Sequence, residues 1–97
     1  MLTSKQRAYL RGLASTIEPV AQVGKNGASP EAVQGLDEAL EARELIKVTV
    51  LNNCEQEPKE VADLLCGRVR ADIVQVIGRK IVFYRRSKKK PVIEVPK

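Results

Sequence analysis

Gly24-Lys25-Asn26-Gly27 is the stretch whose residue types and spacing are best suited to chemistry, and that chemistry is the gripping of phosphate. Glycines at both ends of a tetrapeptide let the main chain take positive φ and approach a ligand without Cβ interference. Ahead of the loop lies an extended apolar run, Val20 to Val23. Behind it, Ser29-Pro30 signals a helix start, where free N–H groups and the positive end of the helix dipole favour an anion. Lys25 places a cation at the tip, and Asn26 can support the turn or donate a hydrogen bond. Asn-Gly is also a common turn dipeptide, so the same residues can serve as nothing more than a tight strand-to-helix connection.

Further cations could extend such a site. Arg85, Arg86, Lys88, Lys89 and Lys90 fall within six residues and read as a basic, flexible tail over 87–97, following a domain over 1–86. Such a run suits a polyanion, and it also suits simple solubility. Arg7, Arg11, Arg79 and Lys80 are the other candidates. The net charge is +5, distributed as +3 over residues 1–29, −6 over 30–63 and +8 over 64–97. That segregation predicts a two-sided object that steers polyanions to one face. A G-x-x-G loop between secondary elements is the device with which KH-type domains hold single-stranded RNA, by backbone and shape more than by base identity.

Composition excludes several alternatives. With only three aromatic side chains, Tyr9, Phe83 and Tyr84, the chain has no dense base-stacking platform. It has no histidine, no G-x-x-x-x-G-K-[ST], no G-x-G-x-x-G and no G-x-S-x-G, so catalysis is not expected and no cofactor is called for. Cys54 and Cys66 stand alone without a metal-ligand pattern; Cys66 reads as a small buried hydrophobe and Cys54 as an exposed loop thiol. Asp37, Glu38, Glu41 and Glu44 read as the solvated face of a helix. An alternative function rests on those acids: a protein-interaction module docking a basic protein. Neither a signal-peptide core nor a membrane-length apolar stretch is present, which leads to the expectation of a cytoplasmic monomer with no membrane partner.

The elements that must position these residues follow from capping and periodicity. Thr3 or Ser4 can start a first helix ending near Ser15, with Leu2, Leu10, Leu13 and Ile17 on one face. Pro19 to Val23 reads as a short strand. Ser29, Pro30 and Glu31 open a second helix with Val33, Leu36 and Leu40 as its apolar stripe. Leu45 to Leu51 is β-branched and alternating, giving a βαβ unit over 20–51 whose strands run parallel. A third helix follows Pro58, burying Val61, Leu64, Leu65 and Val69. Asp72 to Ile77 and Lys80 to Tyr84, split by Gly78-Arg79, form a hairpin, and the second run is apolar on both faces, as a central strand requires.

This α-β-α-β-α-β-β order resembles the CRM domain, named for chloroplast RNA splicing and ribosome maturation, and most of all its stand-alone bacterial YhbY-like members. The resemblance is carried by Leu2-Thr-Ser-Lys-Gln-Arg7, Leu10-Arg-Gly-Leu-Ala14, Val23-Gly-Lys-Asn-Gly27, Glu44-Leu-Ile-Lys-Val48 and Val74-Gln-Val-Ile-Gly-Arg79 through Tyr84-Arg85. It implies a two-layer α/β domain with a mixed four-stranded sheet of order 1-2-4-3, similar to the C-terminal domain of translation initiation factor three. It further implies binding to structured RNA, in the bacterial members to precursors of the large ribosomal subunit, and so a role in ribosome biogenesis, with a ribosomal protein as the basic partner in the alternative reading. Arg86 departs from the pattern, in which Pro often follows the Tyr-Arg pair.

Overall fold

A computed structural model describes residues 2–96. Its elements are α1 (Ser4–Ala14), β1 (Ala21–Val23), α2 (Pro30–Arg43), β2 (Leu45–Val50), α3 (Pro58–Val69), β3 (Asp72–Ile77) and β4 (Lys80–Tyr84). Each helix start has a local cause. Thr3 Oγ1 accepts from the Gln6 N–H while Gln6 Oε1 accepts from the Thr3 N–H, a reciprocal capping box. Ser29 Oγ accepts from the Ala32 N–H ahead of Pro30. Pro58 opens α3 with no side-chain cap from Glu57, its fixed φ already suiting the first helical turn.

The strands form one sheet in the order β1-β2-β4-β3. β1 and β2 are parallel, with Val23 beside Val50, while β4 is antiparallel to both β2 and β3. Gly78, at φ +56, makes the tight turn of the β3-β4 hairpin. As the alternation of β4 requires, Ile81 and Phe83 point into one core and Val82 and Tyr84 into another. The larger core joins them to Val23, Ile46, Val48 and Val50 of the sheet and to Leu36, Leu40, Val61 and Leu65 of α2 and α3. The smaller places Leu10 and Ala14 of α1 on Leu45, Val74, Val82 and Tyr84, with Ile93 and Val95 at its margin. The two-layer arrangement thus describes α2, α3 and the sheet; α1 and the C-terminal segment add a partial third layer on the opposite face.

Several sequence expectations are corrected by this packing. Cys54 is buried in the larger core, whereas Cys66 is only half-buried and its thiol donates to the Asp63 carbonyl. Leu13 and Leu64 are exposed, and Ala14 and Ala62 fill the corresponding core positions. The acids of α2 are only partly the solvated face expected: Asp37 and Glu38 are exposed, while Glu41 is half-buried. Glu44 is fully buried at the C-cap of α2 with φ 67, and Asp37 and Glu41 are engaged by the chain after β4.

The segment read as a flexible tail is held by those acids. Glu44 accepts from the N–H groups of Ser87 (2.7 Å), Val92 (2.6 Å) and Ile93 (2.9 Å). Glu41 accepts from the Ser87 hydroxyl and from the Lys88 and Lys89 N–H groups. Gln6 Nε2 donates to the Pro96 carbonyl, tying the far end of the segment to α1. Lys97 lies outside the described residues, as does Met1.

This clamp makes stability depend on acidity. Glu41 is held below the usual carboxylate range chiefly by the Ser87 hydroxyl, helped by the Lys88 and Lys89 N–H groups and Arg85. Burial alone would raise Glu44, but its N–H donors, with Arg86 nearby, outweigh that and bring it below the usual range as well. Both groups therefore bind protons less readily folded than unfolded. Their contribution is complete above the ordinary value of 4.5 and is lost as pH falls below it. We expect the thermal midpoint of the wild type to drop below pH 4.5 more steeply than that of an E41Q/E44Q variant, measured by circular dichroism between pH 7 and pH 3. Parallel curves for the two proteins would contradict the assignment.

Candidate nucleic-acid interface

The Gly24–Gly27 loop leaves the sheet at the end of β1 where Val23 lies beside Val50, and it leads directly into α2. Its shape is a turn closed by the Gly27 N–H donating to the Gly24 carbonyl at 2.9 Å, followed by the Ser29 N–H donating to the Gly27 carbonyl. Only Gly27 uses a left-handed conformation, at φ +58, and a Cβ there would fall 2.5 Å from Gln56 Oε1. A Cβ on Gly24 would meet nothing closer than Asn53 Oδ1 and Leu51 Cδ1, both at 3.5 Å. Gly27 is thus required by the turn. Gly24 is not: its φ is ordinary and a side chain there would begin in van der Waals contact.

Lys25 and Asn26 are exposed at the apex. Among the described residues, the N–H groups of Lys25, Asn26 and Ala28 have no protein acceptor, while that of Gly27 is consumed by the turn. The start of α2 offers less than the sequence suggested: Ser29 satisfies the Ala32 N–H, Pro30 has none, and Glu31 sets a carboxylate in the first turn. Beside the loop runs a shallow polar cleft of about 380 Å³, bounded by Lys25, Asn26, Gln56, Leu64 and Arg68, with Glu55 as the sole carboxylate in its lining. Arg68, absent from the sequence-derived candidates, reaches from α3 to the Ala28 carbonyl at 3.4 Å. Its place in a helical pattern, with only Arg70 close by in sequence, gave no signal.

The remaining candidates separate into distinct locations. Arg79, in the β3-β4 turn, is at the loop's end of the sheet, but its guanidinium donates from Nε to the Val50 carbonyl (2.8 Å) and from Nη2 to the Leu51 carbonyl (2.7 Å). It braces the end of β2. Lys80 follows it, opposite Thr49, and is exposed. Arg7 and Arg11 belong to α1, on the sheet face opposite α2 and α3. Arg85 is largely covered: Nη1 pairs with Asp37 Oδ1 at 2.6 Å and donates to the Val69 carbonyl, and Nη2 donates to the Asp37 carbonyl.

Arg86, Lys88, Lys89 and Lys90 are exposed, but they follow the end of β4 that pairs with Leu45. The loop lies beyond Val50 at the other end of β2, about 17 Å away along the strand. The one-sided charge distribution expected from the sequence is therefore not what folding produces. The acidic middle of the chain lies against the basic C-terminal segment, with Asp37 and Glu41 taking Arg85 and the 87–89 backbone. Among the described residues no group of three or more His, Cys, Asp or Glu side chains could hold a metal ion, and no helix is long and apolar enough to cross a membrane.

Known proteins share this arrangement. The chain is 48% identical over 96 residues to the Bacillus subtilis (strain 168) protein named Probable RNA-binding protein YqeI, covering 99% of this chain and 100% of that one. It is 34% identical over 86 residues to a Haemophilus influenzae protein named RNA-binding protein, covering 89% of this chain and 87% of the other. The solution structure of the hypothetical protein SAV1595 from Staphylococcus aureus superimposes with a TM-score of 0.83 at 49% identity, covering 99% of this chain and 100% of that one. Residues 2–85, from the capping box of α1 through the glycine loop to the end of the central strand, match the CRS1 / YhbY (CRM) domain, and the chain belongs to that family.

Proposed function

We propose that this chain is a non-enzymatic RNA-binding protein that acts in assembly of the large ribosomal subunit by holding precursor rRNA at the Gly24–Gly27 loop. The observation that carries the reading is the open apex. The N–H groups of Lys25, Asn26 and Ala28 have no protein acceptor, and the Lys25 ammonium is exposed on the same turn. Phosphate oxygens supply the acceptors such a corner needs, and contacts of this kind fix position without reading sequence. The names of the relatives support RNA as the ligand. The resemblance to stand-alone bacterial CRM proteins supports the ribosomal precursor.

Lys80 and Arg68 extend the charge around this end, whereas Arg79 and Arg85 contribute by holding the framework. Asp37 and Glu41 are engaged by Arg85 and the 87–89 backbone, which reduces the acidic surface of α2 available for docking a basic protein. Crosslinking the protein to RNA in cell extract and sequencing the attached fragments tests the reading. Large-subunit precursor sequences are expected, and their absence overturns the ribosomal assignment.

Salt dependence tests the clamp itself. If about four phosphates are neutralised, the log–log slope of affinity against salt is roughly −3, and Lys25→Ala flattens it by about 0.7. An unchanged slope in a folded Lys25→Ala protein would remove the ammonium from the contact.

A further inference from the structure

On the sheet face opposite α2 and α3, α1 covers Val74 and Tyr84 but leaves part of β2, β4 and β3 open toward the end that carries the glycine loop. The register explains the composition of this area. Lys47 lies opposite Val82, which lies opposite Gln75, and Lys80 lies opposite Ile77. The irregularity between Ile73 and Gln75 turns Gln75 and Ile77 onto this face beside Val74. Arg11 closes the side from α1, making a groove of about 410 Å³. Its lining holds three cations and no carboxylate, and among the described residues none of Arg11, Lys47 or Lys80 forms an ion pair. Ile77 is 59% exposed, unusual for a large aliphatic side chain in a strand.

We infer that this groove receives an unpaired nucleotide of the RNA, its base lying on the exposed Ile77 with Gln75 at its edge, and its phosphates taken by Lys47, Lys80 and Arg11. The volume falls within the range of about 300–1,000 Å³ typical of small-molecule sites. An exposed aliphatic side chain rimmed by cations matches a base flanked by phosphates, and paired bases cannot present that face. Lys80 stands two strands from β1, about 10 Å across the sheet from the strand that leads into the glycine loop. One strand can therefore leave the loop and cross into the groove. The inference rests on the RNA-binding reading and adds a preference: RNA with unpaired nucleotides over fully paired RNA.

Two labelled hairpins of equal length test it, one fully paired and one with a four-nucleotide bulge carrying 4-thiouridine, using Lys47→Glu, Ile77→Asn and Gly24→Asp proteins whose thermal midpoints match the wild type. The wild type is expected to prefer the bulged RNA by about tenfold, about 1.4 kcal/mol, and to crosslink within residues 75–80. Lys47→Glu and Ile77→Asn abolish that preference and leave paired-hairpin affinity within about twofold, while Gly24→Asp weakens both RNAs alike. Equal wild-type affinity for the two hairpins, or groove variants that retain the preference, overturns this inference and leaves RNA binding standing. Binding to neither hairpin overturns both. A wild-type dimer dispersed by Ile77→Asn, with RNA preference intact, assigns the groove to a second copy of the chain and likewise overturns the inference.

Discussion

Replacing Gly24 by Asp is expected to weaken RNA binding roughly 30-fold while leaving the unfolding midpoint nearly unchanged. The fold tolerates the change because Gly24 is not in the left-handed region and an added Cβ meets its nearest neighbours at 3.5 Å, an ordinary contact. The ligand does not tolerate it. A carboxylate near a phosphate at about 4 Å costs about 4 kcal/mol at an effective dielectric near 20, and screening at an exposed corner reduces that to about 2 kcal/mol. Titration of a labelled hairpin, with a thermal melt of the same sample, reads both quantities. Full affinity in a stable Gly24→Asp protein would mean that phosphate does not approach here.

Gly27→Asp is a poorer probe of the same idea. Its φ of +58 disfavours any side chain by about 1 kcal/mol, and the new Cβ must displace Gln56. A loss of binding there would mix a distorted turn with electrostatic repulsion. Sequence could not distinguish the two glycines, because the pattern G-x-x-G treats them as equivalent. Only the turn geometry separates the one that shapes the loop from the one that could carry a side chain.

What the chain made legible without coordinates was chiefly local. Thr3 and Ser29-Pro30 locate two helix starts, each cap reaching an N–H three residues further along. The two-sided apolarity of Ile81 to Tyr84 located the central strand, since only a strand covered on both faces needs it. Side-chain assignments that depend on distant partners were not legible. Arg79 and Arg85 look in sequence like their basic neighbours, but each finds backbone carbonyls or Asp37 across gaps of 16 to 48 residues. Lys47 is a single polar position in an apolar strand, and it enters a basic groove only because β2, β4 and α1 converge around it.

Glu44 illustrates the same limit most sharply, and substituting it should have the largest effect on stability. A glutamate at the end of an acidic helix reads as solvated, yet here it is fully buried in a left-handed conformation and gathers three N–H groups from 43 to 49 residues away. Glu44→Ala would either strand those donors, at about 1–3 kcal/mol for each that stays buried, or release the segment and expose the apolar surface of Ile93 and Val95. The second route limits the loss to about 2–4 kcal/mol, corresponding to roughly 10–25 °C in a domain of this size. Glu44→Gln keeps one carbonyl acceptor and should lose about half as much. Glu44→Gly removes the carboxylate but relieves the φ of 67, so it should be about 1 kcal/mol less damaging than Ala. Urea unfolding of the three variants therefore carries a specific order, Gln above Gly above Ala. An alanine protein as stable as the wild type would show that the C-terminal segment needs no anchor at this position.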